Sequence, residues 1–357
     1  MNKIDTEVFQ IGSSAIYCGS SVIAVFDKLI SQYDKIFLLV DENTNQFCLP
    51  NIETSHDEFF STKIIIPSGE SNKTLATTQE IWNTFVEENA NRRSLLVNLG
   101  GGTITDIGGF AASTFMRGIP FINVPTTLLA MIDASIGGKT GIDYKEFKNY
   151  IGTFQFPEAV FVIPALLESL DMRQRISGFA EMIKHAIVAD SGLWNKILQS
   201  DKVDDLDTII PLLHEAIQVK VDIVNRDFRE SGERKKLNFG HTVGHAIESH
   251  YLKNGKPILH GEAVAIGMLV ESLLSLQNKL LQHSGFKQIE RVIRKTFSIP
   301  SMKGEDIDEI LHLMQFDKKN HSNEIHFSIP VKIGECHTDK TFTLNKIQSA
   351  LEEILLR

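Results

Sequence analysis

Cysteine is scarce in this chain of 357 residues: Cys18, Cys48 and Cys336 are the only three, and no two form a CxxC pair. That excludes a disulfide framework and a thiolate zinc site, and it fits a reducing compartment. An excess of basic charge is also missing. Lys and Arg number 36 against 45 Asp and Glu, a formal net charge of -9. A general nucleic-acid binder carries the opposite balance, so neither DNA nor RNA is the expected partner. A local basic pocket for a small anion stays compatible with that balance. No stretch approaches the run of about 18 apolar residues that a membrane helix needs. The opening MNKIDTEVFQ has no apolar h-region, so the expectation is a cytoplasmic chain with no membrane partner. Internal repeats and low-complexity linkers are absent as well.

Hydrophobic residues make up 42% of the chain and charged residues 23%, an ordinary globular composition that excludes wholesale disorder. The length suggests two domains. In the first half, Lys35–Val40, Lys63–Pro67, Ser94–Leu99, Phe121–Pro125 and Val160–Pro164 read as short buried strands. Helical spacing over Thr74–Asn89 and Ile104–Phe115 alternates with them, which predicts a Rossmann-like α/β domain with a parallel sheet. Beyond about residue 165 the strands largely stop. Gly178–Ala189, Leu206–Asp227, His241–Tyr251, Glu262–Asn278 and Asp306–Phe316 read as helices, with a small late hairpin around Glu324–Lys332. The expected division is an α/β domain over 1–165 and an all-α domain over 166–357.

Three familiar signatures are approached but not met. Gly100-Gly101-Gly102-Thr103-Ile104-Thr105-Asp106 follows a strand and opens a helix but is not GxGxxG; it reads as a variant loop through which the backbone approaches a pyrophosphate at a helix N-terminus. Gly137-Gly138-Lys139-Thr140-Gly141 resembles the end of a Walker A loop, yet Asp133 stands where that motif needs its first glycine. His241 and His245 are spaced i, i+4 on a helix, but Thr242 replaces the glutamate of an HExxH protease.

What the residues do offer is metal and anion chemistry. Glu181 and Lys184 lie one turn apart on a helix with apolar neighbours on both sides, a poor surface face. His241, His245 and His260 come from two further helices, so one Glu and two or three His form a ligand set suited to Zn²⁺. Lys220, Arg226, Arg229, Glu230, Arg234 and Asn238 form a polar run leading into His241.

Taken together, GGGTITDIGGFAASTFMRG, VPTTLLAMIDASIGGKTG, KNYIGTFQFP, SGFAEMIKH, LNFGHTVGHAIE and LHGEAVAIGM resemble the 3-dehydroquinate synthase family in order and approximate spacing, over about residues 65 to 320. Asp317-Lys318-Lys319 fits the family's DKK element. Ser68, where the family often has Asp, and Leu170-Asp171-Met172 depart from the pattern and bear only on loop shape. The resemblance implies the fold of that family and a divalent metal, Zn²⁺ or Co²⁺, on Glu181, His241 and His260. It implies NAD contacts at Glu70, Lys73, Gly101, Gly102, Asp106, Thr126, Thr127, Lys139 and Lys148. Catalytic and substrate contacts would be Asp133, Asn149, Lys184, Lys220, Glu230, Arg234, Asn238, His245 and Lys318, with Lys139 also in the catalytic set. Arg117 would reach across a homodimer interface. The implied activity is 3-dehydroquinate formation in the shikimate route to chorismate and the aromatic amino acids. A phosphorylated sugar acid is oxidised by NAD⁺, loses phosphate, is reduced again and closes its ring. Three rivals remain: another sugar-phosphate cyclase, a metal-dependent glycerol or alcohol dehydrogenase, and a catalytically dead ligand-binding or scaffold protein, against which the presence of every expected ligand type argues. The dense lysines and arginines argue against the dehydrogenase.

Overall fold

The computed structural model describes residues 6–52, 60–145, 147–200, 202–315 and 324–356. The chain divides into two compact units, Met1–Asp171 and Met172–Arg357. Lys318, with its neighbours Asp317 and Lys319, lies outside the described residues.

In the first unit the described elements run β1 (Glu7–Ile11), β2 (Ser14–Cys18), α1 (Ile23–Ile30), β3 (Ile36–Asp41), α2 (Glu42–Phe47), β4 (Thr62–Ile66) and α3 (Leu75–Glu87). They continue as β5 (Leu95–Gly100), α4 (Gly102–Thr114), β6 (Phe121–Pro125), β7 (Lys139–Tyr144), β8 (Phe147–Phe154) and β9 (Ala159–Val162). Seven strands form one sheet in the order β1-β2-β9-β6-β5-β3-β4, and every pairing except β1 with β2 is parallel. β5, β6 and β9 are buried along their whole length, and β3 is buried but for its last residue. A parallel strand covered on both faces needs such continuous apolar runs. Phe37, Leu39, Leu96, Phe121, Phe85 and Ile107 belong to the core that results.

From β3 the chain passes to β4 on one side, and from β5 to β6 on the other. The carboxyl ends of β3 and β5 are therefore a topological switch point, where open α/β sheets bind ligands. Gly100, Gly101 and Gly102 sit at that point.

The second unit contains α5 (Met172–Ala189), α6 (Ser191–Gln199), α7 (Leu206–Ile209), α8 (Leu213–Arg226), α9 (His241–Lys253), α10 (His260–Gln277), α11 (His283–Thr296), α12 (Gly304–Gln315), β10 (His326–Lys332), β11 (Glu335–Thr341) and α13 (Leu344–Leu355). α10 is buried on nearly every side from Gly261 to Ser275, as befits a helix at the centre of a bundle. It packs against α5, α9, α11 and α13. The helix expected over Leu206–Asp227 is divided: α7 gives way to a 3-10 turn at Ile210–Leu212 before α8 begins. Pro211 has no N–H for the helical ladder, which accounts for the break. Among the described residues no helix is long and apolar enough to cross a membrane.

Candidate active site

In the α/β unit, α4 starts at Gly102 with Gly101 as its N-cap, two residues earlier than the periodicity suggested. Gly101 offers no side-chain cap, so backbone N–H groups and the positive end of the helix dipole face the switch point. Lys73 is only 2% exposed. Its ammonium donates to Asp106 Oδ2 at 2.6 Å and to Asn149 Oδ1, and lies 3.8 Å from Glu70. Burial opposes the charge on Lys73, yet Asp106 and Glu70 outweigh it and hold its pKa above the ordinary lysine value. Asn149 adopts φ +50° and donates its backbone N–H to Asp143 Oδ1 at 2.7 Å. Glu70 accepts from the Thr103 hydroxyl at 2.8 Å, which ties the turn at Glu70–Asn72 to the first turn of α4.

The structure thus joins Glu70, Lys73, Asp106 and Asn149 in one network, although the resemblance implies NAD contacts for the first three and a substrate contact for Asn149. Thr126 is buried, its N–H donating to the Gly100 carbonyl at 3.0 Å. The Thr127 hydroxyl accepts from Ala130 N at 3.2 Å and opens the π-helical turn Ala130–Ala134 that carries Asp133. Lys139 and Lys148 lie on the antiparallel pair β7–β8. Arg117 does not join this group: it is exposed just past the end of α4, about 20 Å of helix away from Gly102.

In the helical unit, Glu181 and Lys184 are both 1% exposed and ion-paired on α5. His241 opens α9 and His260 opens α10. Each presents Nε2 at 3.6 Å from Glu181 Oε1, and single donor atoms of the three residues all lie within 4.8 Å of one another. A separation of 3.6 Å is too long for a hydrogen bond. It is close to the ~3.4 Å between two ligands that each sit about 2.1 Å from a tetrahedral ion. The donor set of two imidazoles and a carboxylate also suits Zn²⁺ or Co²⁺. These residues fit a divalent metal.

The electrostatics agree. Burial and the Lys184 cation push His241 well below its ordinary pKa, leaving a neutral imidazole. Burial works against a charge on His260, but Glu181 and Glu248 overcome it and raise its pKa to about 9. A dication among the three would displace that proton. The His245 ring stands 5.2 Å from that of His241 and 5.8 Å from that of His260. It lies beside the three close donors without being one of them.

Lys220 and Arg234 are also buried, on α8 and on the 3-10 turn Glu233–Asn238. Both elements pack against α5 and against each other. The Arg234 guanidinium donates to the Phe228 carbonyl at 2.7 Å, and Asn238 donates to Glu230 Oε1 at 2.5 Å. The loop between is organised by a residue the motifs did not single out. Asp227 accepts the backbone N–H groups of Ser231 at 3.0 Å, Gly232 at 2.7 Å and Arg234 at 3.0 Å. Glu248 was missed too: it is buried on α9, with Oε2 3.5 Å from His260 Nδ1. Its spacing of seven from His241 and three from His245, one face of a helix, was a signal that could have found it.

The 3-dehydroquinate synthase N-terminal family model matches residues 63–177, and the C-terminal model matches residues 178–320. A 3-dehydroquinate synthase from Parabacteroides distasonis is 39% identical over 320 residues, 89% of this chain and 90% of that protein. One from Prochlorococcus marinus is 40% identical over 308 residues, covering 84% and 82%. Among solved structures, a 2-deoxy-scyllo-inosose synthase complexed with carbaglucose-6-phosphate, NAD⁺ and Co²⁺ superposes with a TM-score of 0.83 at 21% identity, covering 98% of this chain and 100% of that one. A 2-epi-5-epi-valiolone synthase from Streptomyces hygroscopicus with NAD⁺ and Zn²⁺ bound gives 0.84 at 24% identity, with 98% and 99% covered. A probable glycerol dehydrogenase from Sinorhizobium meliloti gives 0.64 at 15% identity, with 94% of each covered. At these identities the solved structures establish a common fold.

Proposed function

The chain belongs to the 3-dehydroquinate synthase family, and from that membership we propose that it converts 3-deoxy-D-arabino-heptulosonate 7-phosphate to 3-dehydroquinate and phosphate. NAD would occupy the α/β unit at Gly101, Gly102, Thr126 and Thr127, within reach of Glu70, Lys73, Asp106, Lys139 and Lys148. A divalent ion would be held by Glu181, His241 and His260. When bound, the ion would polarise a substrate hydroxyl oxygen and the dinucleotide would take up and return a hydride. The observation that carries this reading is the Glu181–His241–His260 cluster, with Lys184 ion-paired to Glu181 and with Lys220 and Arg234 buried in the same helical unit.

The side chains of this chain have the work of binding and orienting. A buried cation strengthens its pull on an anion, because little water screens it. Lys184, Lys220 and Arg234 would take the phosphate and carboxylate of the substrate, with Lys318 as a further contact. The Phe228 carbonyl accepts from the Arg234 guanidinium, whose planar fork suits two-pronged recognition of an oxyanion. Glu230, held at φ +59° and bonded to Asn238, would place its carboxylate and the Asn238 amide against substrate hydroxyls. Asp133, Asn149 and His245 complete the proposed set. Holding one conformer is itself a large part of such catalysis.

A homodimer belongs to the same proposal. The β7–β8 hairpin exposes Tyr144, Phe147, Tyr150 and Phe154, an apolar surface of the kind that second subunits cover, and Arg117 is exposed in the same unit. A cytoplasmic setting suits biosynthetic chemistry and the free thiols of Cys18, Cys48 and Cys336.

Phosphate release from the heptulosonate phosphate, with NAD⁺ and Zn²⁺ or Co²⁺ present, tests the activity. Multiple turnovers are expected. Tight dinucleotide binding with no phosphate released would overturn this substrate and leave another sugar-phosphate cyclase as the reading.

A further inference from the structure

With the metal-dependent reading of Glu181, His241 and His260 as its footing, we propose that Glu271 is a positioning residue that fixes the first turn of α9 and, through it, the His241 ring. Glu271 lies on α10 and is 0% exposed. A carboxylate so deeply buried persists only where strong donors replace its water. Its Oε2 accepts from Gly240 N at 2.7 Å and its Oε1 from Val243 N at 3.1 Å. These are the N-cap and third amides of α9, two of the donors that a helix start leaves unsatisfied. The dipole of α9 also favours negative charge at that end.

A local cap is impossible here. The N-cap is Gly240 at φ +80°, and a Cβ on it would meet Met268 Cγ at 2.5 Å and the Val264 carbonyl at 2.8 Å. The backbones approach equally closely at Gly267, where a Cβ would fall 2.0 Å from the Gly240 carbonyl. Such contact forbids the Ser or Asp that usually caps a helix, and α10 supplies the carboxylate instead. Glu271 follows His260 by eleven residues, three turns along one face. The helix that opens with His260 thus anchors the start of the helix that opens with His241. The His241 ring takes its orientation from the same turn, with Nδ1 3.2 Å from the Phe239 carbonyl. A displaced turn would displace Nε2 from Glu181.

Glu271→Gln tests this, because it removes the charge and places an amide group against backbone N–H donors while keeping the volume. Zn²⁺ affinity by chelator competition should weaken about 10–100-fold, as for lost supports around metal ligands, and the visible spectrum of the Co²⁺-loaded protein should change. Asp190→Ala is the control. It removes the side-chain cap of α6 in the same unit, so it should lower thermal stability without altering Zn²⁺ affinity or the Co²⁺ spectrum. Wild-type affinity and spectrum in Glu271→Gln would overturn the assignment. Should that variant not fold, amide exchange in the wild-type protein decides. Gly240 and Val243 should exchange only through global unfolding, with or without metal, and fast local exchange in the metal-free protein would overturn the role. Failure of the wild-type chain to take up metal would instead overturn the metal-dependent reading and this assignment with it.

Discussion

Glu248 stands seven residues after His241 on α9, with its carboxylate 3.5 Å from His260 Nδ1. A ligating histidine holds its ring by the hydrogen bond that its second nitrogen makes. Glu248→Ala should therefore weaken metal binding about 10–100-fold, and Glu248→Gln should recover part of the loss because its amide oxygen still accepts from Nδ1–H. His245→Ala, by contrast, should keep the metal. Chelator titration of the three variants checks this ordering, and equal affinity in Glu248→Ala and wild type would refute it. Asp227 offers a second test, this time of pH. Burial alone would raise its pKa, but the N–H groups of Gly232, Arg234 and Ser231 outweigh it and hold the carboxyl below its ordinary range. A carboxyl depressed in the folded state stabilises fully above the unfolded value of about 3.9 and loses that contribution as pH falls through the native value. Asp227→Asn should cost about 1–3 kcal/mol at pH 6. Denaturant titrations should show its deficit against wild type shrinking below about pH 4, and a constant deficit down to pH 2 would contradict the ion's role. That Glu181 would meet two or three of His241, His245 and His260 is legible from residue types that bring metal chemistry with them, and the resemblance narrows the set to the three whose donor atoms lie within 4.8 Å of one another. Glu248 offers only its helical spacing from His241 and His245, and Asp227 and Glu271 offer nothing, since an isolated Asp or Glu gives no sign of which backbone it will meet after folding.

At the level of elements, strands β3 to β6 and β9 were readable to within a residue or two, because buried parallel strands need unbroken apolar runs. The β7–β8 hairpin was not. β8 is exposed or half-buried along its whole length, so it lacks such a run, and Gly137–Gly141 drew attention as an anion loop. α2 escaped notice for a similar reason. Its sequence ENTNQF is polar, and its start depends on a reciprocal cap between Asp41 and Thr44. The helices that carry the candidate metal ligands are held close by glycine. A Cβ on Gly261 would fall 1.8 Å from the Ser177 carbonyl, and Gly261 N donates to Ser177 Oγ at 3.1 Å. Gly261 follows His260 directly, and Ser177 precedes Glu181 by one turn, so this junction sets the separation of the two proposed ligands. Gly261→Ala should push α10 from α5, destabilise the protein by about 1–3 kcal/mol as overpacking does, and deplete the purified protein of metal. Thermal melts with elemental analysis would reveal both effects, and one metal per chain at the wild-type melting temperature would show that the junction is unimportant.

At the scale of the whole molecule, a net charge of -9 coexists with deeply buried cations. Charges on the acidic surface are screened beyond about 8 Å at physiological salt, whereas Lys73, Lys184, Lys220 and Arg234 act where little water intervenes. One chain therefore combines a glycine-opened helix start with a carboxylate–histidine cluster that fits a divalent metal, the latter in a unit that also buries Lys184, Lys220 and Arg234. An ordinary alcohol dehydrogenase acts on a substrate without phosphate or carboxylate and so has no use for so many buried cations, and it exchanges its reduced dinucleotide with solvent after each turnover. A cyclase that oxidises and then reduces the same substrate is redox-neutral overall, so the hydride removed from a secondary alcohol returns before product leaves. With limiting NAD⁺, phosphate should accumulate to many equivalents per dinucleotide, while NADH absorbance never exceeds the enzyme concentration. Free NADH rising in step with product would place the chain with the dehydrogenases that share its fold. Varying the NAD⁺ supplied at fixed enzyme separates the two outcomes, because only a dehydrogenase would make total product scale with dinucleotide.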